Sequence, residues 1–193
     1  MRKGLIYIIP PLLTILVCFL IFQTGSKAIQ IEANEKSDFK HKVSYDQLTS
    51  KTQKEVMCLA ENIFFESAHE PLSGQVAVAM VTLNRVNSDG FPNTICGVVK
   101  QIKYRGVCQF SWYCEGKQSM EYLTRYNKVL YNDIINLAVD IYANHDKMND
   151  PSKGALFYHA DYVRPVWRKN LDKVAVIGKH IFYNDKEVQW VRN

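Results

Sequence analysis

The chain has 193 residues, 47% of them apolar and 22% charged, which suits one globular domain and excludes a largely disordered protein. Lys and Arg outnumber Asp and Glu by 24 − 19 = 5. That excess suits an acidic substrate or surface, but without a basic patch interleaved with aromatics it excludes a nucleic-acid-binding signature.

The N-terminal segment MRKGLIYIIPPLLTILVCFLIF opens with Arg2 and Lys3, then runs for eighteen residues without a charge from Leu5 to Phe22. That is just enough to cross a bilayer core as a helix, with the leading positive charges held on the cytoplasmic side and the rest of the chain outside. A cleavable signal peptide is the competing reading, since Ser26-Lys27-Ala28 offers small residues where a peptidase would cut. Pro10 and Pro11 weaken the helix in either case. Residues 1–23 are therefore expected to be a membrane anchor or signal peptide. Residues 24–50, polar and aperiodic, read as a linker, and 51–193 as the folded domain.

Export agrees with the cysteines. Cys18 lies in the apolar segment, which leaves Cys58, Cys96, Cys108 and Cys114. Four cysteines in an oxidising compartment suggest two disulfides, with three possible connectivities. Cys108 and Cys114 bracket the short loop QFSWY and favour a local pair, in which case Cys58 would join Cys96. Four free thiols remain the plain alternative. The spacings match no common zinc pattern, so no metal or other cofactor is expected.

A first helix can be capped by Ser50 or Thr52 and run to about Glu66, with Val56, Leu59, Ile63 and Phe64 inward. Glu70 precedes Pro71, and a residue before proline is pushed out of the helical region, so the helix must break there. A second helix from Leu72 or Ser73 to about Asn87 is apolar on nearly every side, the mark of a central helix. After the turn-rich SDGFPNTI, a short helix can begin at Cys96. A long helix is expected from Met120 to Asn144, with Leu123, Leu130, Ile134, Leu137, Ala138 and Ile141 on one stripe. GALFYHA (154–160) and VAVIGKHIFYN (174–184) read as two strands of a small sheet. Helices followed by strands imply an α+β fold.

The helix ENIFFES seats carboxylates against the core. A carboxyl beside Phe64 and Phe65 is partly desolvated, and desolvation favours the protonated form, so such a glutamate can serve as a general acid. Breaking a glycosidic bond needs that device, because the leaving oxygen must be protonated while positive charge grows on the sugar. Glu66 is best placed, at the helix end beside the break. Glu61 reads as solvent-side or salt-bridged, and Glu70 as a possible second acid or a helix-terminus residue.

ENIFFESAHEPLSGQVAVAMVTLNRVNSDGFPNTICGVVKQ, then CQFSWYCEGK, GALFYHADYVRPVW and IGKHIFY in that order, resemble the catalytic domain of the spore cortex-lytic cell-wall hydrolases over residues 56–184. The resemblance implies a lysozyme-like fold, mostly helical with a small sheet near the C-terminus. It also implies an enzyme of the bacterial cell envelope, inner-membrane anchored facing the periplasm or exported, whose partner is the peptidoglycan glycan strand. Cleavage would fall between N-acetylmuramic acid and N-acetylglucosamine, with Glu66 as the catalytic acid. The pattern departs at one turn: the family's Glu-Ala-Arg-Gly-Glu is Glu66-Ser67-Ala68-His69-Glu70 here. Glu66-Ser67 instead looks like the Glu-Ser of soluble lytic transglycosylases. The separate peptidoglycan-binding domain of many spore-associated members does not fit in 24–50, and membrane tethering can take its place.

Protonated Glu66 would donate to the glycosidic oxygen. The muramic acid 6-hydroxyl would then attack, as in a lytic transglycosylase, without a second carboxylate. Muramidase-type hydrolysis would need one to activate water, with Glu70 or Asp161 as candidates. Gln109, Phe110 and Ser111 in the cysteine-bracketed loop are substrate-binding candidates. So are Tyr158 and His159, which the family's arrangement places opposite that loop. Trp112 and Trp167 can stack on sugars or simply pack, while Asn84, Arg85 and His180 read as structural. The alternatives from other classes are a catalytically silent peptidoglycan-binding or scaffolding module, and an amidase. The last would need zinc ligands or a Cys/His pair, and neither is apparent.

Overall fold

The computed structural model describes residues 43–103, 106–116 and 120–185, the side chains of 120–127 excepted. The expected anchor or signal peptide and the linker up to residue 42 lie outside the described residues. Among the described residues, no helix is long and apolar enough to cross a membrane.

Regular structure is present before Ser50. Tyr45–Gln47 form a 3-10 turn in which the Ser44 amide donates to Gln47 Oε1 at 3.0 Å. Tyr45 and Gln53 then exchange side-chain-to-backbone hydrogen bonds of 3.2 Å in both directions, fixing the turn to the first helix. That helix, α1, spans Ser50–Ser67. Its cap is Thr49 rather than Ser50 or Thr52: Thr49 Oγ1 accepts from the Thr52 amide, which would otherwise have no partner in the first turn. Val56, Leu59 and Ile63 are fully buried along its inner stripe, while Phe64 is half-buried.

Helix α2 spans Leu72–Val86. Ala77, Val78, Ala79 and Val81 are all at 0% exposure, as a helix without a polar face requires. Between α1 and α2 the chain turns at Pro71, and Gln75 Nε2 reaches back to the carbonyls of Ala68 and Glu70 at 3.3 and 3.1 Å. One side chain thus satisfies two carbonyls freed by the helix break. Short helix α3, Ile95–Val99, is joined to α1 by the disulfide Cys58–Cys96. Short helix α4, Ser111–Cys114, is closed onto the loop before it by Cys108–Cys114. Long helix α5, Met120–Asn144, packs against α1 and buries Ile134, Leu137, Ala138 and Ile141; Leu123 is among the side chains not described.

The sheet has three strands where the sequence suggests two. β1 spans Phe157–Ala160, β2 Asp172–Ile177 and β3 His180–Asn184, in the antiparallel order β1-β3-β2. The apolar run 174–184 folds back on itself because Gly178, at φ +53°, takes the left-handed conformation that a two-residue hairpin turn needs. β1 begins three residues later than GALFYHA suggests because Asp150 holds the preceding turn, accepting from the amides of Ser152 and Gly154 at 2.8 and 2.7 Å. Phe182 and Ala155 pack on Ala77 and Val81, so the sheet rests directly on α2.

A polar thread crosses the core. Trp112 Nε1 donates to Asn62 Oδ1 at 3.2 Å, and Asn62 Nδ2 donates to Thr82 Oγ1 at 3.1 Å. All three residues are buried, so breaking any link would leave an unpaired polar group in apolar surroundings. The thread ties α4 to α1 and α2 and holds the loop 108–111 in place.

Candidate active site

Glu66 sits on the last turn of α1, one turn before the elbow that Gln75 locks. Its neighbour Phe65 stacks on Trp112 with centroids 4.6 Å apart, and Phe64 meets Tyr131 edge-on. These ring pairs pack the end of α1. From β1, Tyr158 donates its hydroxyl to Glu66 Oε2 at 2.9 Å. Burial pushes the Glu66 carboxyl above its ordinary value, the Tyr158 hydrogen bond and the Arg85 charge pull it back, and the charge of Glu115 adds to the rise. Removal from water therefore prevails over two groups that stabilise the ion. The Tyr158 phenol is pushed well above its ordinary value by burial and by the neighbouring Glu66 charge, so it stays a donor at neutral pH.

Arg85, 3% exposed, is a buried cation of this site. Its Nε donates to the Leu156 carbonyl at 2.8 Å, just before β1, and its guanidinium lies 5.5 Å from the Phe91 ring and 5.3 Å from the Phe110 ring. Burial lowers it to about 10, partly opposed by Tyr158 and Glu66, which leaves it charged at neutral pH. A cleft of about 510 Å³ is lined by Tyr158 together with Arg85, Lys103, Gln109, Phe157 and Trp167. Tyr158 belongs to both places: its hydroxyl touches Glu66, and its side chain lines the cleft.

The remaining candidates are dispersed. Phe110 is buried against Arg85, Gln109 lines the cleft, and Ser111 is exposed at the start of α4. His159 stands on the opposite face of β1 from Tyr158, as strand alternation requires, and bonds to Tyr183 Oη at 3.0 Å. It does not reach Glu66. Glu70 is held at the hairpin, its Oε2 accepting the Lys179 amide at 2.9 Å. Asp161 follows β1, its amide bonded to the Lys179 carbonyl at 2.7 Å. Trp112 is core, whereas Trp167 lines the cleft at 40% exposure. Asn84 braces the turn before β1, donating to Asp150 Oδ2 at 3.0 Å. His180 packs edge-on against Tyr158. Glu61 is half-buried and raised by burial, opposed by the charge of Lys100.

Sequence reasoning missed Lys103 and Glu115 as site groups and placed Arg85 among the structural residues. An arginine inside an otherwise apolar helix was a usable signal for the last, since a buried cation needs a partner. Nothing in the pattern around Lys103 or Glu115 separates them from surface charges.

Residues 69–183 match the family model described as Cell Wall Hydrolase, a match that begins three residues past Glu66. The chain is 35% identical over 134 residues to a spore cortex-lytic enzyme of Bacillus cereus, covering 68% of this chain and 44% of that protein. It is 32% identical over 132 residues to the spore cortex-lytic enzyme of Bacillus subtilis, covering 66% and 37%. The chain thus spans less than half the length of the curated relatives it matches. Among solved structures it resembles the catalytic domain of the germination-specific lytic transglycosylase SleB from Bacillus anthracis, at 30% identity and a TM-score of 0.51, covering 68% of this chain and 95% of that one. It also resembles the catalytic domain of Bacillus cereus SleB, at 31% identity and a TM-score of 0.50, covering 68% and 91%.

Proposed function

The chain belongs to the cell wall hydrolase family, and on that premise we propose that it cleaves peptidoglycan glycan strands between N-acetylmuramic acid and N-acetylglucosamine, with Glu66 as general acid and then base. The observation that carries the reading is the desolvated carboxyl of Glu66, raised by burial and hydrogen-bonded to Tyr158, which itself lines the cleft. A carboxyl whose protonated form is favoured by burial can donate to a glycosidic oxygen as the bond breaks.

In the proposed reaction the Glu66 proton passes to the departing N-acetylglucosamine oxygen, and the bond to the muramyl carbon breaks. The muramyl 6-hydroxyl attacks that carbon and gives its proton to ionised Glu66, which restores the acid and leaves a 1,6-anhydro ring. Tyr158 supports the ionised carboxylate between the two transfers. This route needs no second carboxylate, which agrees with Glu70 being committed to the hairpin amide. Hydrolysis with reducing ends is the second reading. That route would need a second carboxylate to activate water; Glu70 is committed to the Lys179 amide, and Asp161 follows β1.

The basic, apolar N-terminal segment and two disulfides support export of the domain, tethered to the membrane through residues 1–23. Incubation of the full-length chain with purified sacculi, followed by mass spectrometry of the released muropeptides, tests the reading. Anhydro-muramyl ends are expected. Release of peptide-bond products alone, or binding of sacculi without release, would remove the glycan-cleaving reading in favour of an amidase or a silent binding module.

A further inference from the structure

Among the described residues, ten line the cleft, Tyr158 included; none of these is acidic and two are cations. Lys103 feels Arg85 closely enough that burial first, and the Arg85 charge second, lower its ammonium below the ordinary value. Two like charges held together in a partly desolvated cleft repel each other, and an anion between them relieves that repulsion.

Two further atoms point the same way. Arg85 Nη1 is buried and has no hydrogen-bond partner among the described residues, and the same is true of Gln109 Oε1, on another cleft-lining residue. Buried polar atoms are normally paired, so an orphan donor and an orphan acceptor lining one cleft suit a ligand that supplies both complements. A carboxylate supplies the acceptor. An adjacent amide N–H supplies the donor. The neighbouring Trp167 and Phe157 rings, 6.0 Å apart, offer an apolar wall for the carbon skeleton that carries them.

We propose that this cleft is a subsite for a carboxylate borne on the muramyl residue of the substrate, gripped by Arg85 and Lys103, with Gln109 accepting a neighbouring N–H. The subsite rests on the glycan-cleaving reading above and adds to it a preference for strands that present a negative charge at the muramyl substituent. Such a carboxylate has two sources: an acidic group of the peptide stem, or the lactyl acid left when a stem has been removed. Because Tyr158 is shared by the cleft and Glu66, the anion contact would place the muramyl ring against the catalytic acid.

The test uses the full-length chain carrying Glu66→Gln, so that strands stay whole, with binding to soluble glycan strands followed by calorimetry. Three probes are compared: strands with intact stems, the same strands with their carboxylates amidated, and stem-free strands with free lactyl acids. Losing a charge-assisted contact is expected to weaken binding about tenfold on amidation. Adding Lys103→Gln should weaken binding to the charged strands to a similar extent, cause no further loss on the amidated ones, and be reversed by Lys103→Arg. Full affinity for the stem-free strands would show that a lactyl acid fills the subsite as well as a stem carboxylate does, and reduced affinity would confine it to the stem. Equal affinity for charged and amidated strands, or losses from amidation and Lys103→Gln that add in full, would overturn the subsite while leaving the glycan reading intact. A Glu66→Gln chain that binds none of the strands, with a wild type that cleaves none, would overturn both.

Discussion

The Tyr158 hydroxyl, carried by the first strand, donates to Glu66 Oε2 at 2.9 Å across 92 residues of sequence, and this hydrogen bond joins the helical core to the sheet at the proposed acid. It acts against the dominant influence on that carboxyl. Burial favours the protonated acid, whereas the phenol donor favours the ion. Removing the donor in Tyr158→Phe should therefore raise Glu66 further. The step that needs protonated Glu66 would persist to higher pH, and the alkaline limb of the pH–rate profile would move upward. A limb that stays in place or moves down would separate Tyr158 from the titration of the acid.

Glu66 carries a stability consequence. Its folded-state value lies above its ordinary value of 4.5. Below that ordinary value both folded and unfolded chains hold the proton, and burial of the acid costs nothing extra. As pH rises the unfolded chain ionises first, so stability falls until pH passes the folded value. Glu66→Gln removes this loss and keeps an acceptor for Tyr158. The variant should melt higher than wild type at pH 7, by about 1.4 kcal/mol for each pH unit by which the carboxyl is raised. The advantage should vanish at pH 4. Thermal melts of both proteins at the two pH values check the sign.

Glu70 should behave as a structural carboxylate. Its Oε2 bonds the Lys179 amide and lies where a side chain on Gly178 would go, an added Cβ falling 1.9 Å from it. Glu70→Ala is expected to lower stability by about 1 kcal/mol while kcat per folded molecule stays at the wild-type level. Gly178→Ala should cost about 1–2 kcal/mol from the left-handed φ alone, and more from the displaced carboxylate. Loss of kcat in Glu70→Gln without loss of stability would restore Glu70 as a second acid.

The two disulfides should separate stability from activity. Cys58–Cys96 closes a separation of 38 residues and Cys108–Cys114 one of 6, so loop-closure entropy assigns them about 4 and about 2 kcal/mol respectively. Paired serine substitutions at Cys58 and Cys96 should therefore lower Tm more. Those at Cys108 and Cys114 should raise KM more, because Cys108 and Gln109 line the cleft. Melting curves and KM on soluble strands distinguish the two.

Local chemistry made part of this legible in the sequence. The helix boundaries at Pro71, the apolar second helix and the long helix 120–144 each follow from residues within a few positions of one another. Glu66 is a candidate from its place beside two phenylalanines at a helix end, but it is the resemblance to the cell-wall hydrolases, more than local chemistry, that singles it out. The hairpin was harder to see, because VAVIGKHIFYN reads as continuous strand and a single Gly decides the fold-back. Glu70 could not be assigned locally either, since its partner amide lies 109 residues away. His159 illustrates the limit of adjacency: next to Tyr158 in sequence, it faces the other side of the sheet and bonds Tyr183. Lys103 carries no local mark, and only the cleft brings it to Arg85.

The most direct measurement is the rate of glycan-strand cleavage by full-length wild type and its Glu66→Gln variant on the same sacculi, with muramyl ends counted by mass spectrometry. A positioned general acid contributes about 10²–10⁴-fold, so the variant should lose activity on that scale while remaining folded. Cleavage by the variant at the wild-type rate would contradict the assignment of Glu66 and, with it, the account of the site.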